Sequence, residues 1–153
     1  MARISRDTPL AEITLRRYEK PTMADRELVR KLCLSVGLLQ PGDSRDVIVD
    51  VFSVLLKAKQ EKKLLSSEEV TKKVLDERKK AKLPLVGVAG SNIRRQIKRL
   101  RDLFLAEKVK NAYRISEFDG IKNTFQQKTE MFLLASVLER VKDYAQAIDE
   151  RFK

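Results

Sequence analysis

One segment of this chain, residues 85–115, concentrates side chains that bind anions and hydrogen-bond to bases. It holds eight Lys and Arg against two Asp and Glu, so it supplies six of the formal net charge of +11. Arg side chains can hydrogen-bond guanine through two N–H groups, Asn can bond adenine, and Ser and Lys can contact phosphate. Because such an excess of positive charge repels itself unless it faces a polyanion, we expect a polyanionic partner such as nucleic acid or an acidic membrane.

Other kinds of chemistry find little support in the sequence. The chain has no His and one Cys, which removes the usual general base, the commonest zinc ligand and any intramolecular disulfide. Asp43 with Glu61–Lys63 lacks the spacing of a clustered nuclease site, and the glycines at Gly87 and Gly90 lack the following Lys-Ser or Lys-Thr of a nucleotide-binding loop. We therefore expect a protein that is not an enzyme, with no catalytic residue, metal site or cofactor.

The single cysteine and the hydropathy pattern indicate a compartment. Cys33 lies on an apolar helical stripe, which favours a buried, reduced thiol and a cytoplasmic protein. Uncharged runs such as Leu83–Ile93 have only 11 residues, against the roughly 18 of a membrane span. Charges throughout the first 20 residues are unlike a signal peptide. We expect no membrane partner.

Two helices and an arm are predicted ahead of the basic segment. Ala11–Tyr18 alternates weakly and indicates an extended arm or an edge strand. A first helix is predicted from a cap at Thr22 to a stop at Gly37, and a second from a cap at Asp43 or Ser44. Arg16–Lys20, which overlaps the end of this pattern, is either a minor-groove arm or a surface edge strand, and we favour the edge strand.

The middle of the chain begins with a short strand at Leu64–Leu65. Ser66 and Glu69 then match a capping box, which predicts a helix to about Lys80. After a loop rich in Pro and Gly, a basic helix is expected to run from Gly90 or Ser91 to about Leu105. Two short strands and a tight turn at Asn111 follow it.

Helical geometry divides the basic helix into two faces. At about 100° per residue, Ile93, Ile97 and Leu100 share a narrow arc with Phe104 and are expected to face the core. The basic and polar side chains lie on the other side. Together with three residues of the hairpin, the predicted nucleic-acid contacts are Ser91, Asn92, Arg94, Arg95, Lys98, Arg99, Lys108, Lys110 and Arg114. Among these, Arg95 and Lys98 are our first candidates.

Residues 44–116 therefore run in the order helix, short strand, capped helix, loop, basic helix and two-stranded hairpin. This half of the chain resembles the winged helix-turn-helix family, found among archaeal and bacterial transcription regulators. The resemblance rests on that order, on Ser66–Val70 opening the capped helix, and on Ser91–Leu100 leading into Val109–Ile115. It implies a mainly α fold that binds double-stranded DNA, with the basic helix in the major groove and the hairpin, or wing, over the adjacent backbone.

The loop before the basic helix differs from the family pattern. About ten residues separate Lys80 from Ser91, which is longer than the connection in a tight helix-turn-helix. The apolar residues of the loop are expected to pack into the core, either holding the two helices or changing the angle between them. These apolar residues are Leu83, Leu85, Val86 and Val88, and the nearby Lys79, Lys80 and Lys82 are further candidates for the binding surface.

A long helix is predicted from Phe118 to Phe152. Part of its apolar stripe steps by three and four residues, which is typical of a heptad seam, and the near-neutral charge of this segment suits contact with a second basic protomer. We predict a homodimer through Leu134, Val137, Val141, Tyr144 and Ile148. The alternative is that this helix folds back over the apolar face of the first helix.

The sequence thus divides into an N-terminal arm and helix (1–43), a winged-helix domain (44–116) and a long C-terminal helix (117–153). The leading interpretation is a DNA-binding transcription regulator. The alternative is an assembly subunit that uses its winged helix to dock on a larger nucleic-acid machine. The sequence does not identify a small-molecule effector.

Overall fold

The computed structural model describes residues 7, 11–43 and 45–153 of the chain. Ser44, one of the two predicted caps of the second helix, lies outside these residues. The fold is mainly helical, with one small antiparallel hairpin and a long C-terminal helix, as predicted. The elements are α1 (Asp25–Ser35), α2 (Val47–Gln60), α3 (Ser67–Lys80), α4 (Gly90–Asp102), β1 (Ala106–Val109), β2 (Ala112–Ile115), a 3₁₀ helix (Ser116–Phe118), α5 (Ile121–Thr124), a π-helical segment (Phe125–Leu134) and α6 (Ala135–Arg151).

Helix α2 forms the centre of the hydrophobic core. Phe52 and Leu55 are completely buried, because α1, α3, α4 and the hairpin surround this helix. Residues of α1 belong to the same core as those of α2 to α4, so the N-terminal helix and the middle segment pack as one body. The single cysteine, Cys33, lies inside this core, and burial raises the pKa of its thiol to about 12.

Helix α3 begins at the predicted capping box. The hydroxyl of Ser66 accepts a hydrogen bond from the backbone N–H of Glu69 at 3.1 Å, and the carboxylate of Glu69 accepts one from the N–H of Ser66 at 3.1 Å. Immediately before it, Leu65 forms an isolated antiparallel bridge with Tyr113 of β2. The predicted strand at Leu64–Leu65 is therefore reduced to a single bridge at Leu65, which places β2 between Leu65 and β1.

The hairpin has a two-residue turn. Ala106 pairs with Ile115 and Val109 pairs with Ala112, so Lys110 and Asn111 form the turn. Both have positive φ, 47° and 61°, which is the conformation of a type I′ turn. The prediction that Asn111 occupies a tight turn is confirmed.

Several predicted helix boundaries are wrong. Helix α2 begins at Val47 with Asp46 at its N-cap, so Asp43 does not cap it. The C-terminal helical segment begins at Ile121 instead of Phe118. Helix α1 has Ala24 at its N-cap without a side-chain hydrogen bond, so Thr22 does not cap it. Helix α4 ends three residues before Leu105, because Phe104 adopts a φ of 63° and the N–H of Leu105 donates back to Leu100 O at 3.0 Å. This pattern is a Schellman motif, which ends a helix by satisfying its last carbonyl groups.

The N-terminal arm lies against the end of α1 without forming a strand. The N–H of Thr14 donates to Ser35 O at 3.1 Å, and Nε of Arg16 donates to Leu34 O at 3.1 Å. Gly37, with a φ of 78°, ends α1 as predicted. A Cβ atom at this position would lie 2.2 Å from Glu12 O, so only glycine allows the arm to approach this closely.

The first part of the C-terminal segment packs on the core, and the rest is exposed. Ile121, Phe125 and Leu133 pack against the core, and the hydroxyl of Thr129 donates to Leu103 O at 3.2 Å. The wider turns of the π-helical segment keep residues spaced by four on the core side. Helix α6 then has no buried residue. The alternative that the C-terminal helix folds back over the first helix is therefore wrong for α6, whereas the segment before α6 packs on the core.

No helix within the described ranges is both long and apolar enough to cross a membrane.

Candidate nucleic-acid interface

Helix α4 presents one face to the core and the other to solvent. Ile93, Ile97 and Leu100 are completely buried, as the helical spacing predicts. Phe104 falls outside the helix, half-buried, and its ring lies 6.5 Å from that of Phe132. The opposite side of α4 exposes a polar and basic surface consisting of Ser91, Arg94, Arg95, Lys98, Arg101 and Asp102.

Arg94 and Arg95 are the most available cations on this surface. Neither side chain has a hydrogen bond or ion pair with any residue that the structure describes. Lys98 forms an ion pair with Asp102 at 3.1 Å, but both side chains are well exposed. Because exposed pairs contribute little stability, Lys98 can exchange Asp102 for an external anion at small cost.

Asn92 and Arg99, two of the predicted contacts, are engaged within the protein. Nδ2 of Asn92 donates to Gly87 O at 2.7 Å, and Oδ1 of Asn92 accepts from Gln96 at 3.0 Å. Nη1 of Arg99 donates to Gln96 Oε1 at 2.9 Å, and Nη2 donates to Leu38 O at 2.9 Å. These side chains fix α4 against the α3–α4 loop at Gly87 and the α1–α2 loop at Leu38. Base recognition by Asn92 would require breaking its two internal hydrogen bonds.

The three predicted contacts on the hairpin also include both exposed side chains and one that is engaged within the protein. Lys108 and Lys110 are exposed. Arg114 is half-buried, forms an ion pair with Glu107 at 3.2 Å and lies 4.8 Å from the ring centre of Phe118. Arg114 Nε is buried without a hydrogen-bond partner in the described part of the chain. The structure therefore places Arg114 in the packing of the hairpin, while the two lysines face solvent.

Tyr113 joins the hairpin to α4. Its ring is half-buried, with the guanidinium carbon of Arg101 at 6.0 Å and Nζ of Lys108 at 5.9 Å from the ring centre. Its backbone also pairs with Leu65 through hydrogen bonds of 2.7 and 3.0 Å. Arg101 was missing from the predicted contacts, although its exposure and position on the helix make it part of the same basic surface.

The long loop between α3 and α4 is held at several points. Nε of Arg78 donates to Pro84 O at 2.8 Å, Asn92 bonds Gly87, and Val88 packs on the core. Leu83 is half-buried. Leu85 and Val86 are about half exposed, so the expectation that the apolar residues of the loop pack into the core is wrong for these two. Lys79, Lys80 and Lys82 are exposed, and their part in binding stays a prediction.

An ionic cluster that sequence patterns do not indicate sets the position of α3 and this loop. Arg78 pairs with Asp50 at 2.5 Å and with Asp46 at 3.1 Å, and Arg26 bonds both carboxylates from α1 at 3.0 to 3.2 Å. Burial by itself raises the pKa of Asp46, but the hydrogen bonds from Arg26 and Arg78 outweigh it and hold that pKa below its usual value.

No protein-family model, curated protein or solved structure matches this chain. The described residues also contain no group of three or more side chains suited to holding a metal ion.

Proposed function

We propose that this protein binds double-stranded DNA, with α4 in the major groove and the hairpin on the neighbouring backbone. The observation that carries the proposal is the exposed face of α4, where Arg94 and Arg95 have no internal partner. Charged groups without partners on a helix face are available for phosphates and base edges. Arg101 of α4 and Lys108 of the hairpin lie 6.0 and 5.9 Å from the ring centre of Tyr113, so Lys108 lies beside this face.

The proposed role of each residue follows from whether its side chain is exposed and has a partner within the protein. Arg95 lies opposite the buried side of α4 and is the candidate for base recognition, with Ser91, Arg94 and Lys98 beside it. Lys108 and Lys110 are candidates for phosphate contacts, which add affinity but not sequence preference.

The protein is further proposed to act as a homodimer through α6. Val137, Val141, Tyr144 and Ile148 are 46 to 61% exposed, and Leu134 is half-buried. A single helix gains too little from its own hydrogen bonds to be stable, so an apolar stripe of this length indicates a packing partner. The α6 helix of a second copy carries the same apolar stripe in heptad spacing, so the two stripes can pack against each other. A dimer would then bind two DNA half-sites.

A regulatory role in transcription and a cytoplasmic location complete the proposal. The regulatory role rests on the winged-helix resemblance, and the location rests on the single, buried, reduced cysteine. The second candidate is an assembly subunit of a nucleic-acid machine. It is favoured by the exposed stripe of α6, which a different protein could also cover.

The test is selection of duplex sequences from a random pool at near-physiological salt, with the wild type and Arg95→Ala compared. We expect the wild type to enrich one motif and Arg95→Ala to lose preference at one or two positions, by roughly 5- to 150-fold for a bidentate contact. Lys142→Ala removes an equal charge from α6 and should enrich the wild-type motif.

Two outcomes would contradict these assignments. Equal enrichment of the same motif by Arg95→Ala would remove Arg95 from base recognition. Failure of the wild type to bind any duplex at low salt would favour the assembly subunit, because a DNA-binding protein shows affinity that rises steeply as salt is lowered.

A further inference from the structure

A groove runs along one flank of α4, on the side away from the hairpin. Its volume is about 480 Å³, within the range of ligand-binding clefts. One wall is α4, another is the loop between α1 and α2, and the third is the end of the loop between α3 and α4. The side chains that matter below are Asp43, Arg45, Arg95, Gln96 and Arg99.

The charges of this groove are not balanced by the protein. Arg45, Arg95 and Arg99 line it together with one carboxylate, Asp43. Arg45 and Arg95 have no side-chain partner among the described residues. Arg99 bonds only uncharged oxygens, those of Gln96 and Leu38. Three guanidinium groups and one carboxylate leave an excess of two positive charges, which favours an anion in the groove.

Arg99 is held in position for such an anion. A guanidinium has five N–H donors, and two of those of Arg99 are used by Gln96 and Leu38, so three remain. Gln96 is itself fixed by Asn92, which bonds Gly87 at the far wall. A donor group fixed by neighbours loses less conformational entropy when a ligand binds, so the site is preorganised.

The position of the groove indicates the kind of anion. Arg101 on one flank of α4 faces the hairpin, and Arg99 on the other flank faces the groove. A helix lying in the major groove has sugar-phosphate backbone on both sides. The hairpin lysines would contact the backbone on one side of α4. The groove lies where the phosphates of the backbone on the other side would pass.

We propose that this groove is a phosphate-binding site formed by Arg45 and Arg99, with Arg95 adding positive charge to its α4 wall. Arginine suits this role because its planar fork of N–H groups matches the oxygens of phosphate. The phosphate belongs either to the DNA backbone, in which case the inference rests on the proposed function, or to a free phosphorylated compound. Arg45 is the distinguishing residue, because it lies outside α4 and has no role in base recognition.

The experiment compares Arg45→Gln with Arg151→Gln. Arg151 is an exposed residue in the last turn of α6, so its substitution removes the same charge from a distant surface. DNA affinity is measured over a range of salt concentrations for the wild type and both variants. In parallel, backbone amide shifts are followed by NMR during titration of the wild type and Arg45→Gln with sodium pyrophosphate in the absence of DNA.

For a backbone phosphate, Arg45→Gln should reduce the slope of log affinity against log salt by about 0.9, while Arg151→Gln leaves it unchanged. For a free phosphorylated compound, pyrophosphate should saturably shift the amides of Leu39 and Gly87 in the wild type but not in Arg45→Gln. The proposal would be overturned if Arg45→Gln and the wild type gave the same salt slope and pyrophosphate caused no saturable amide shift in the wild type. If the wild type binds no DNA, the proposed function fails, and the pyrophosphate titration alone decides the groove.

Discussion

Nη1 of Arg78 lies 2.5 Å from Oδ2 of Asp50, and both side chains are almost completely buried. This pair joins α3 to α2, while Nε of Arg78 also holds the α3–α4 loop through Pro84 O. Removing one partner from a buried ion pair leaves an unpaired charge in the interior, which costs about 3 to 5 kcal/mol. The pair therefore makes the position of the loop before α4 sensitive to a change inside the core.

Asp50→Asn should lower the free energy of unfolding by about 3 kcal/mol, because Arg78 keeps only Asp46 as an ionic partner. Urea denaturation measures the change. The control is Lys57→Gln, which breaks the exposed pair of Lys57 with Glu77 and should cost less than about 1 kcal/mol. Equal losses in the two variants would show that the buried cluster does not hold α3 to α2.

Asp46 should give stability that depends on pH. Its pKa in the folded protein is held below the usual value, so the unfolded chain binds its proton first as pH falls. The contribution is complete above the ordinary Asp pKa of about 3.9 and is lost as pH falls through the folded value. The stability difference between the wild type and Asp46→Asn should therefore be largest at neutral pH and shrink below about pH 4.

Denaturation of the two proteins at a series of pH values measures this difference. Val54→Ala provides an uncharged comparison, since it removes buried apolar atoms and should cost a similar amount at each pH. A wild-type advantage over Asp46→Asn that stays constant from neutral to acid pH would exclude the proposed role of Arg26 and Arg78 in lowering this pKa.

Gly37 and Gly42 provide a matched pair for testing how the arm is held. Both have positive φ, 78° and 76°, which costs an alanine about 1 to 2 kcal/mol. Only Gly37 is also crowded, because its Cβ would lie 2.2 Å from Glu12 O, while a Cβ at Gly42 meets nothing within 4 Å. Gly37→Ala should thus destabilise the protein more than Gly42→Ala and release the arm.

Release of the arm is measured by the rate of tryptic cleavage after Arg16 and Arg17 in the native protein. Cleavage should be faster in Gly37→Ala than in Gly42→Ala. Equal cleavage rates in both variants would mean that the close approach to Glu12 does not hold the arm.

The proposed dimer makes a prediction about the apolar stripe of α6. Val141→Glu places a charge in the middle of the stripe, where a packing helix would bury it. We expect dimer affinity to fall by at least about 100-fold, equivalent to roughly 3 kcal/mol. Ser136→Glu introduces the same side chain near the opposite side of α6 and should leave the dimer intact. Sedimentation velocity at micromolar concentration measures the mass of each variant, and a monomeric wild type would reject the dimer.

Helix ends show what the sequence could and could not predict. Gly37 signalled the end of α1 because glycine favours positive φ. Helices α2, α3 and α4 end with the same backbone geometry at Lys62, Lys82 and Phe104, where φ is 52°, 55° and 63°. These residue types carry no such signal, so the end of α4 was placed three residues too late.

The candidate site was predicted in part for a similar reason. The Pro- and Gly-rich loop, the helical period and the turn residue Asn111 correctly predicted the start of α4, its buried face and the hairpin, because these depend on nearby residues. The bonds of Arg99 to Leu38 and of Asn92 to Gly87 depend on where two loops pass, which no local pattern specifies. The cluster of Arg26, Asp50 and Arg78 was missed because its members lie in three helices far apart in sequence.

Cys33, the only cysteine of the chain, gives the protein a built-in reporter of its own opening. A thiol reagent attacks the thiolate, and burial both shields this sulfur and keeps it protonated. Labelling therefore has to wait until the packing around α1 and α2 comes apart. The rate of thiol modification reads out that opening directly, in the unaltered chain and in the presence or absence of any ligand, without an engineered probe.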